Sequence, residues 1–309
     1  MPNHSRSQQT ISEEYARLTI LAGRVAMGTA LFLILAKVVA VMMTGSSSVL
    51  ASLTDSLLDL AASTANLFAL KLAIQPADKE HRFGHGKAEG LAGLAQSAFI
   101  SGSCVLLVLH AVDRIIEPQP VRQPEVGIAV MLLSIVVTLG LVSFQRYVAR
   151  VTGSLAVTAD SLHYKGDLLM NLAIMVAVIL ASYGFDAVDG WFALLVALYI
   201  LFSAWGIAKE AVNALMDRAL DDDSHRLIRE TVAAHPEVHG LHELRTRQSG
   251  PTKFIQFHLE LDDFLPLYDA HQIADQVEAS LRDAFPDADI LIHQDPQSVV
   301  RKRNGTVKS

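Results

Sequence analysis

Cysteine is almost absent from this sequence: Cys104 is the only one in 309 residues. A single thiol excludes an internal disulfide and cannot build a thiolate metal site by itself. Its apolar surroundings mark Cys104 as a small core residue. Charge is scarce too. Asp, Glu, Lys and Arg make up 18% of the chain, the net charge is −7, and there is no long basic run, which argues against a nucleic-acid partner. The start is not expected to act as a secretory signal peptide. The first eighteen residues are polar and carry Arg6, Glu13, Glu14 and Arg17, with no short basic start leading into an apolar core and a small-residue cleavage site. No internal repeat or low-complexity tract occurs.

What the chain has instead is apolar length. Hydrophobic residues make up 51% and the mean hydropathy is +0.34, too high for an ordinary soluble domain. They cluster in the first two thirds, and from about Leu220 the chain reads as soluble. A membrane-crossing helix needs about 20 mainly apolar residues. Six segments qualify: Leu18–Met43, Ser48–Ile74, Leu91–Ile116, Val126–Val148, Ser154–Tyr183 and Val188–Ile207. The second and fifth contain carboxylates and score lower on hydropathy alone. Lys71, Lys79, Arg82, Lys87, Arg146, Arg150, Lys209 and Arg218 fall at one set of span ends. Gly45–Ser47 and Gly184–Asp189 have no Lys or Arg, and only Arg114 and Arg122 lie near the third-to-fourth connection. Positive residues mark the cytoplasmic side, so both termini are expected there. The organisation predicted is a cytoplasmic segment over 1–17, a six-helix membrane bundle over 18–210, a cytoplasmic α+β domain over 211–297 and a disordered tail over 298–309. In the α+β domain, Ser224–Ala234 and Leu267–Phe285 read as helices. Val238–Arg247, Lys253–Leu261 and Ala288–His293 read as strands.

The most informative residues are Asp55 and Asp59 in the second span, and His163 and Asp167 in the fifth. Each pair is spaced i, i+4, on one helix face. Charged groups inside a bilayer usually face a bundle interior and mark an ion pathway. From the outer entry near Ser48 the first pair lies roughly 10–17 Å deep, and from the inner entry near Ser154 the second lies roughly 13–20 Å deep. Antiparallel helices would bring the four together near mid-membrane. Three carboxylates and an imidazole suit four-coordinate Zn²⁺, while Fe²⁺, Mn²⁺ and Cd²⁺ fit the same ligand types. A proton relay or a buried network without metal is the other reading. Asp160, one turn before His163, is read as a helix-entry carboxylate near the interface, with a proton path as its alternative.

Asp55-x-x-x-Asp59, His163-x-x-x-Asp167, His81-Arg-Phe-Gly-His85-Gly-Lys87 and His293-Gln-Asp295-Pro296 together resemble the cation diffusion facilitator family, over about Leu18 to Val300. The resemblance implies a homodimer in the bacterial inner membrane, with six spans per subunit and a ferredoxin-like cytoplasmic domain. It implies a transport site at Asp55, Asp59, His163 and Asp167, and a loop site at Asp78, His81 and His85. It also implies a binuclear tail site at His242, His258, His271, His293 and Asp295, and a charge pair between Lys87 and Asp217 that ties the subunits together. The residues alone add that His81 and His85 lie four apart in a loop-like stretch with two Gly, that His293 and Asp295 can share a strand face and that His258 alternates with core-type neighbours. Taken singly, each of these histidines, and Lys87 and Asp217, also reads as a solvated surface residue.

Metal ligation requires deprotonated groups, so metal and protons compete for Asp55, Asp59, His163 and Asp167. If the site alternates between the two faces, that competition alone yields metal/proton antiport. His163 is the expected proton carrier, because its unperturbed pKa of about 6.5 lies nearest physiological pH. The tail is expected to sense cytoplasmic metal, or else to hold it as a fixed dimer staple. Two rivals are an Fe²⁺, Mn²⁺ or Cd²⁺ exporter of the same architecture and a membrane metal sensor that transports nothing. An intramembrane metalloprotease is disfavoured, since no His-Glu-x-x-His run is present.

Overall fold

The structure, a computed structural model, describes residues 4–45, 47–117, 125–181 and 188–306. Arg122, the end of the fifth expected span at Tyr183, most of the Gly184–Asp189 connection and Ser46 lie outside the described residues. The chain divides into two compact units, one running from Ala16 to Val212 and one that includes everything from Asn213 onward.

Six long helices build the first unit, the start of α1 and the end of α6 running beyond its bounds: α1 (His4–Thr44), α2 (Ser47–Ala73), α3 (Lys87–Ile116), α4 (Glu125–Thr152), α5 (Leu155–Ala181) and α6 (Val188–Leu215). Their sides are sorted by size. The buried stripes hold small residues, such as Ala22, Ala26 and Ala30 of α1 and Ala197, Ala204 and Ala211 of α6. The outer faces carry large apolar side chains, among them Met42 at 82% exposure and Phe202 at 79%. Water would penalise such a surface, whereas lipid suits it, and small residues let helix backbones approach closely. At Gly190 of α6 an added Cβ would meet the Ala111 carbonyl oxygen of α3 at 2.9 Å. Five of the six helices are long and apolar enough to cross a membrane, and α5 has the lowest hydropathy of the five. The remaining helix is α2, which carries Asp55 and Asp59. The chain is a multipass membrane protein.

Helix bounds exceed the apolar runs. α6 continues past Ile207 to Leu215, because hydropathy marks only the lipid-embedded part, while helical hydrogen bonding persists in water. Between α4 and α5 the chain reverses at Gly153, whose φ of +67° favours glycine. Its N–H donates to the Ala149 carbonyl at 2.8 Å. Cys104 is buried, as expected, among Ile100, Leu162, Ile200 and Ala204.

The second unit runs α7 (Asp222–Ala233), β1 (Gly240–Ser249), β2 (Thr252–Leu261), α8 (Leu267–Ala284), β3 (Ala288–Pro296) and α9 (Gln297–Thr306). Asp221 caps α7 by accepting from the Ser224 N–H at 2.7 Å, and Asp222 and Asp223 in the first turn complement the helix dipole. The sheet order is β1-β2-β3. β1 and β2 are antiparallel, and β2 and β3 are parallel, with α8 as the crossover. Ile228 and Val232 of α7 and Ile273, Val277 and Leu281 of α8 pack on Ile255, Phe257 and Leu259 of β2. A ferredoxin-like sheet has a further strand ahead of the first helix. Among the described residues that strand has no counterpart, since α6 occupies the chain as far as Leu215.

Of the tail predicted to be disordered, residues 298–306 enter α9 instead, and residues 307–309 lie outside the described residues. The Ser298 N–H donates to Asp263 Oδ1 at 2.8 Å and Val300 is buried, so a cap and an apolar anchor hold the helix start.

Candidate metal centres

In the membrane unit, α2 and α5 run antiparallel and are joined by three polar rungs. Asp59 Oδ1 lies 2.9 Å from His163 Nε2. The Ser63 and Tyr164 hydroxyls are 2.7 Å apart. Asn66 Nδ2 donates to the Ala156 carbonyl at 3.4 Å. The first rung builds the site, with Asp167 Oδ2 3.9 Å from His163 Nε2. Single ligand atoms of Asp59, His163 and Asp167 all lie within 4.8 Å of one another. Asp167 Oδ2 is buried and accepts no hydrogen bond among the described residues, which leaves it available to a cation. Asp55, one turn from Asp59, is not part of this close group. It shares with the other three the wall of a cavity of about 230 Å³, completed by Phe99, Ile100, Cys104 and Ile200. The Phe99 and His163 rings stand edge to face, with centroids 5.8 Å apart.

Asp160 lies near the start of α5, where a helix-entry carboxylate is expected, and is packed inside the protein. It is 1% exposed and accepts from Gln145 Nε2 of α4 at 2.6 Å. Its phase on α5 turns it into the tightly packed α4–α5 contact.

The loop between α2 and α3 brings Asp78, His81 and His85 together. Asp78 Oδ1 accepts from the N–H groups of His81 at 2.6 Å and Glu80 at 2.8 Å, a turn that Asp side chains favour. Its two oxygens lie 3.6 Å from His81 Nδ1 and 3.4 Å from His85 Nε2. The His81 N–H, then the Glu80 N–H and the two imidazoles, hold the Asp78 carboxyl below the ordinary carboxylate range. Gly84, at φ +77°, makes the turn that swings His85 back.

In the tail unit the strand register does the assembling. His242, His258 and His293 stand opposite one another on β1, β2 and β3, and Glu260 stands opposite Asp295. Asp295 Oδ2 lies 2.8 Å from His258 Nδ1 and 3.3 Å from His242 Nε2, and its Oδ1 lies 3.2 Å from His293 Nε2. Partial burial raises the Asp295 pKa, but the His258 hydrogen bond and the imidazoles of His293, His258 and His242 outweigh it and hold the carboxyl below its usual value. Imidazole nitrogens converging on a carboxylate make a donor set suited to Zn²⁺. His271 stands apart on α8, 3.7 Å from Asp275, and joins no such group among the described residues.

Sequence reasoning missed two acids here. Glu260 Oε1 lies 3.0 Å from His242 Nδ1; its spacing of two from His258 on one strand was a usable signal. Glu243 lies 3.8 Å from His258 Nε2. A register shift between His242 and Arg245 and a φ of +49° at Glu243 turn it there, and neighbouring positions on a regular strand would face opposite ways. The expected partners Lys87 and Asp217 fall in different units. Lys87 opens α3, and Asp217 accepts from Arg247 Nη1 at 3.2 Å.

Comparison with known proteins matches the cation efflux transmembrane domain over residues 24–216 and the cytoplasmic domain of cation efflux proteins over residues 220–297. The cation-efflux pump FieF of Pectobacterium atrosepticum is 55% identical over 290 residues, covering 94% of this chain and 97% of that protein. The pump of the same name from Serratia proteamaculans is 53% identical over 287 residues, covering 93% and 96%. Among solved structures, the zinc form of CzrB is 31% identical, with a TM-score of 0.26, covering 26% of this chain and 94% of that one. The metal-bound C-terminal domain of the CzcD transporter from Thermotoga maritima is 28% identical, with a TM-score of 0.23, covering 24% and 87%.

Proposed function

Because this chain belongs to the cation efflux family, we propose that it expels a divalent metal cation, Zn²⁺ first among candidates, from the cytoplasm across the bacterial inner membrane in exchange for protons. The observation that carries the reading is the convergence of Asp59, His163 and Asp167 within 4.8 Å, on helices whose outer faces are lipid-like. Asp55 completes the ligand set from the same cavity wall.

The coupling follows from the shared atoms. A proton held between Asp59 Oδ1 and His163 Nε2, 2.9 Å apart, occupies the two lone pairs that a metal ion needs. Metal entry must displace it, and protonation must release the metal. With the site open to each side in turn, an inward proton gradient drives the cation outward. His163 is the proton carrier in this scheme. Asp55, Asp59 and Asp167 supply the negative charge.

We read all six long helices as spans, α2 included, with both termini cytoplasmic and residues 18–210 as the membrane domain. The tail over 211–297 we read as a metal-binding regulatory domain, ferredoxin-like in its layering. Two copies form a homodimer in which Lys87 and Asp217 provide a charge pair. The loop group Asp78, His81 and His85 and the tail group His242, His258, His293 and Asp295 would hold resident Zn²⁺, with His271 a further ligand candidate of the tail. Bound metal there would favour packing of the two tails and so bias the membrane helices.

The test is uptake of Zn²⁺, Fe²⁺, Mn²⁺ and Cd²⁺ into inverted vesicles under imposed pH gradients. Uptake that rises with the gradient supports antiport. Binding with no flux of any of the four would identify a sensor instead.

A further inference from the structure

The acidic membrane site has a cation of its own, which the exchange scheme above does not use. Lys37 of α1 is 8% exposed and continues the buried stripe of Ala26, Ala30, Leu33 and Ala40. Its Nζ donates to the Ser52 carbonyl at 3.0 Å and to Ser56 Oγ at 2.7 Å. Both acceptors belong to α2, and they precede Asp55 and Asp59 by three residues each. The ammonium is therefore fastened along the helix that carries two of the three carboxylates. It has three N–H donors, of which α2 takes two.

The setting is asymmetric. Lys37 lines a cavity of about 400 Å³ together with Ser52, Asp55, Asp59, Asp167 and Asn171. His163 lines the smaller cavity, which Lys37 does not reach. The three carboxylates stand in the walls of both. A buried ammonium in a membrane helix is costly, and α1 otherwise fills this stripe with small or apolar side chains.

We propose that Lys37 is a tethered counter-cation of the acidic site: it opposes the incoming divalent ion, weakens its hold on Asp55, Asp59 and Asp167, and thereby speeds its release. The inference rests on the transport reading given above. It makes Lys37 a positioning residue and not a ligand. A plain structural staple between α1 and α2 would behave in the opposite way, since loosening the site would weaken metal binding.

The experiment uses the full chain in lipid nanodiscs and vesicles, with His81, His85, His242 and His258 replaced by Ala so that the membrane site is read alone. Zn²⁺ affinity is measured by calorimetry and Zn²⁺ flux by vesicle uptake. Lys37→Met keeps the length and apolarity of the side chain but removes the charge. It is expected to bind Zn²⁺ about tenfold more tightly, the scale of removing one charge close to a divalent ion in a partly screened site, and to turn over more slowly. Lys37→Arg should restore both values toward those of the parent. Equal or weaker binding by Lys37→Met overturns the proposal. Lys37→Gln provides a second reading should Lys37→Met fail to fold. It keeps N–H donors for the Ser52 and Ser56 acceptors of α2 but carries no charge, so it should also bind Zn²⁺ more tightly, and weaker or unchanged binding counts against the idea. Asp59→Ala separates the two levels. Full Zn²⁺ binding by that variant defeats the transport site itself. Lost binding there, combined with unchanged affinity in Lys37→Met, defeats only the role given to Lys37.

Discussion

His163 Nε2 lies 2.9 Å from Asp59 Oδ1, across 104 residues of sequence, and 3.9 Å from Asp167 Oδ2. One imidazole nitrogen thus faces carboxylates from two helices, and whatever occupies that point, a proton or a metal ion, must answer to both.

The first prediction concerns that point. Asp59→Ala and His163→Ala each remove a ligand atom, and Zn²⁺ uptake should fall by more than the about 10–100-fold that loss of an outer partner of a metal site costs. Vesicle flux measures this. Circular dichroism should show unchanged helix content, and retained uptake in either variant would exclude the residue from the site.

A second prediction concerns the neighbouring rung, Ser63 to Tyr164 at 2.7 Å, where both residues are buried. Tyr164→Phe leaves the Ser63 hydroxyl without this partner, at a cost of about 1–3 kcal/mol. Removing both hydroxyls with Ser63→Ala and Tyr164→Phe should recover part of that loss. Thermal unfolding in detergent gives the comparison. A double variant less stable than the sum of the singles would contradict the pairing.

The loop offers a pH prediction. The Asp78 carboxyl is held below its ordinary range, chiefly by the His81 N–H. A depressed carboxylate contributes order that is fully present above its unfolded value, about 3.9, and is lost as pH falls through the lower, folded value. Protection of the Glu80 and His81 amides, measured as exchange relative to the intrinsic rate at each pH, should therefore fall below about pH 4. Asp78→Asn, whose amide oxygen can still accept, should lose that acid dependence. Persistence of the dependence in the Asn variant would place its cause elsewhere.

In the tail, His242 offers Nε2 to Asp295 and Nδ1 to Glu260. A carboxylate on the far nitrogen orients a ligating imidazole. Glu260→Ala should therefore lower Zn²⁺ affinity of the tail by about 10–100-fold. His271→Ala, on α8, should spare the first ion bound by His242, His258 and Asp295. Titration of the full chain with the membrane site disabled by Asp59→Ala and the loop site by His81→Ala and His85→Ala reads both, and the reverse ranking would mean that His271 joins the group when metal binds.

Much of this was open to reading from the residues in order. Apolar runs define where helices can sit in lipid, because an unpaired backbone group there is too costly for anything else. The i, i+4 spacing of Asp55 with Asp59 and of His163 with Asp167 puts each pair on one face by helical geometry alone. The tail's helix, strand, strand, helix, strand order followed from its periodicities. The start of α9 was hidden, because its cap comes from Asp263, 35 residues away.

Local pattern by itself determined which elements form and which way their polar faces turn, since both depend on neighbours within a turn or two of the chain. Only the tertiary structure decided that Lys37 and Asp55 share a cavity, that Asp160 is sealed against Gln145, and that a bulge turns Glu243 toward His258. Each of these depends on the rotation, register or offset of one packed element against another. Those quantities are set by close-packed side chains distant in sequence, and no periodicity within a single element encodes them.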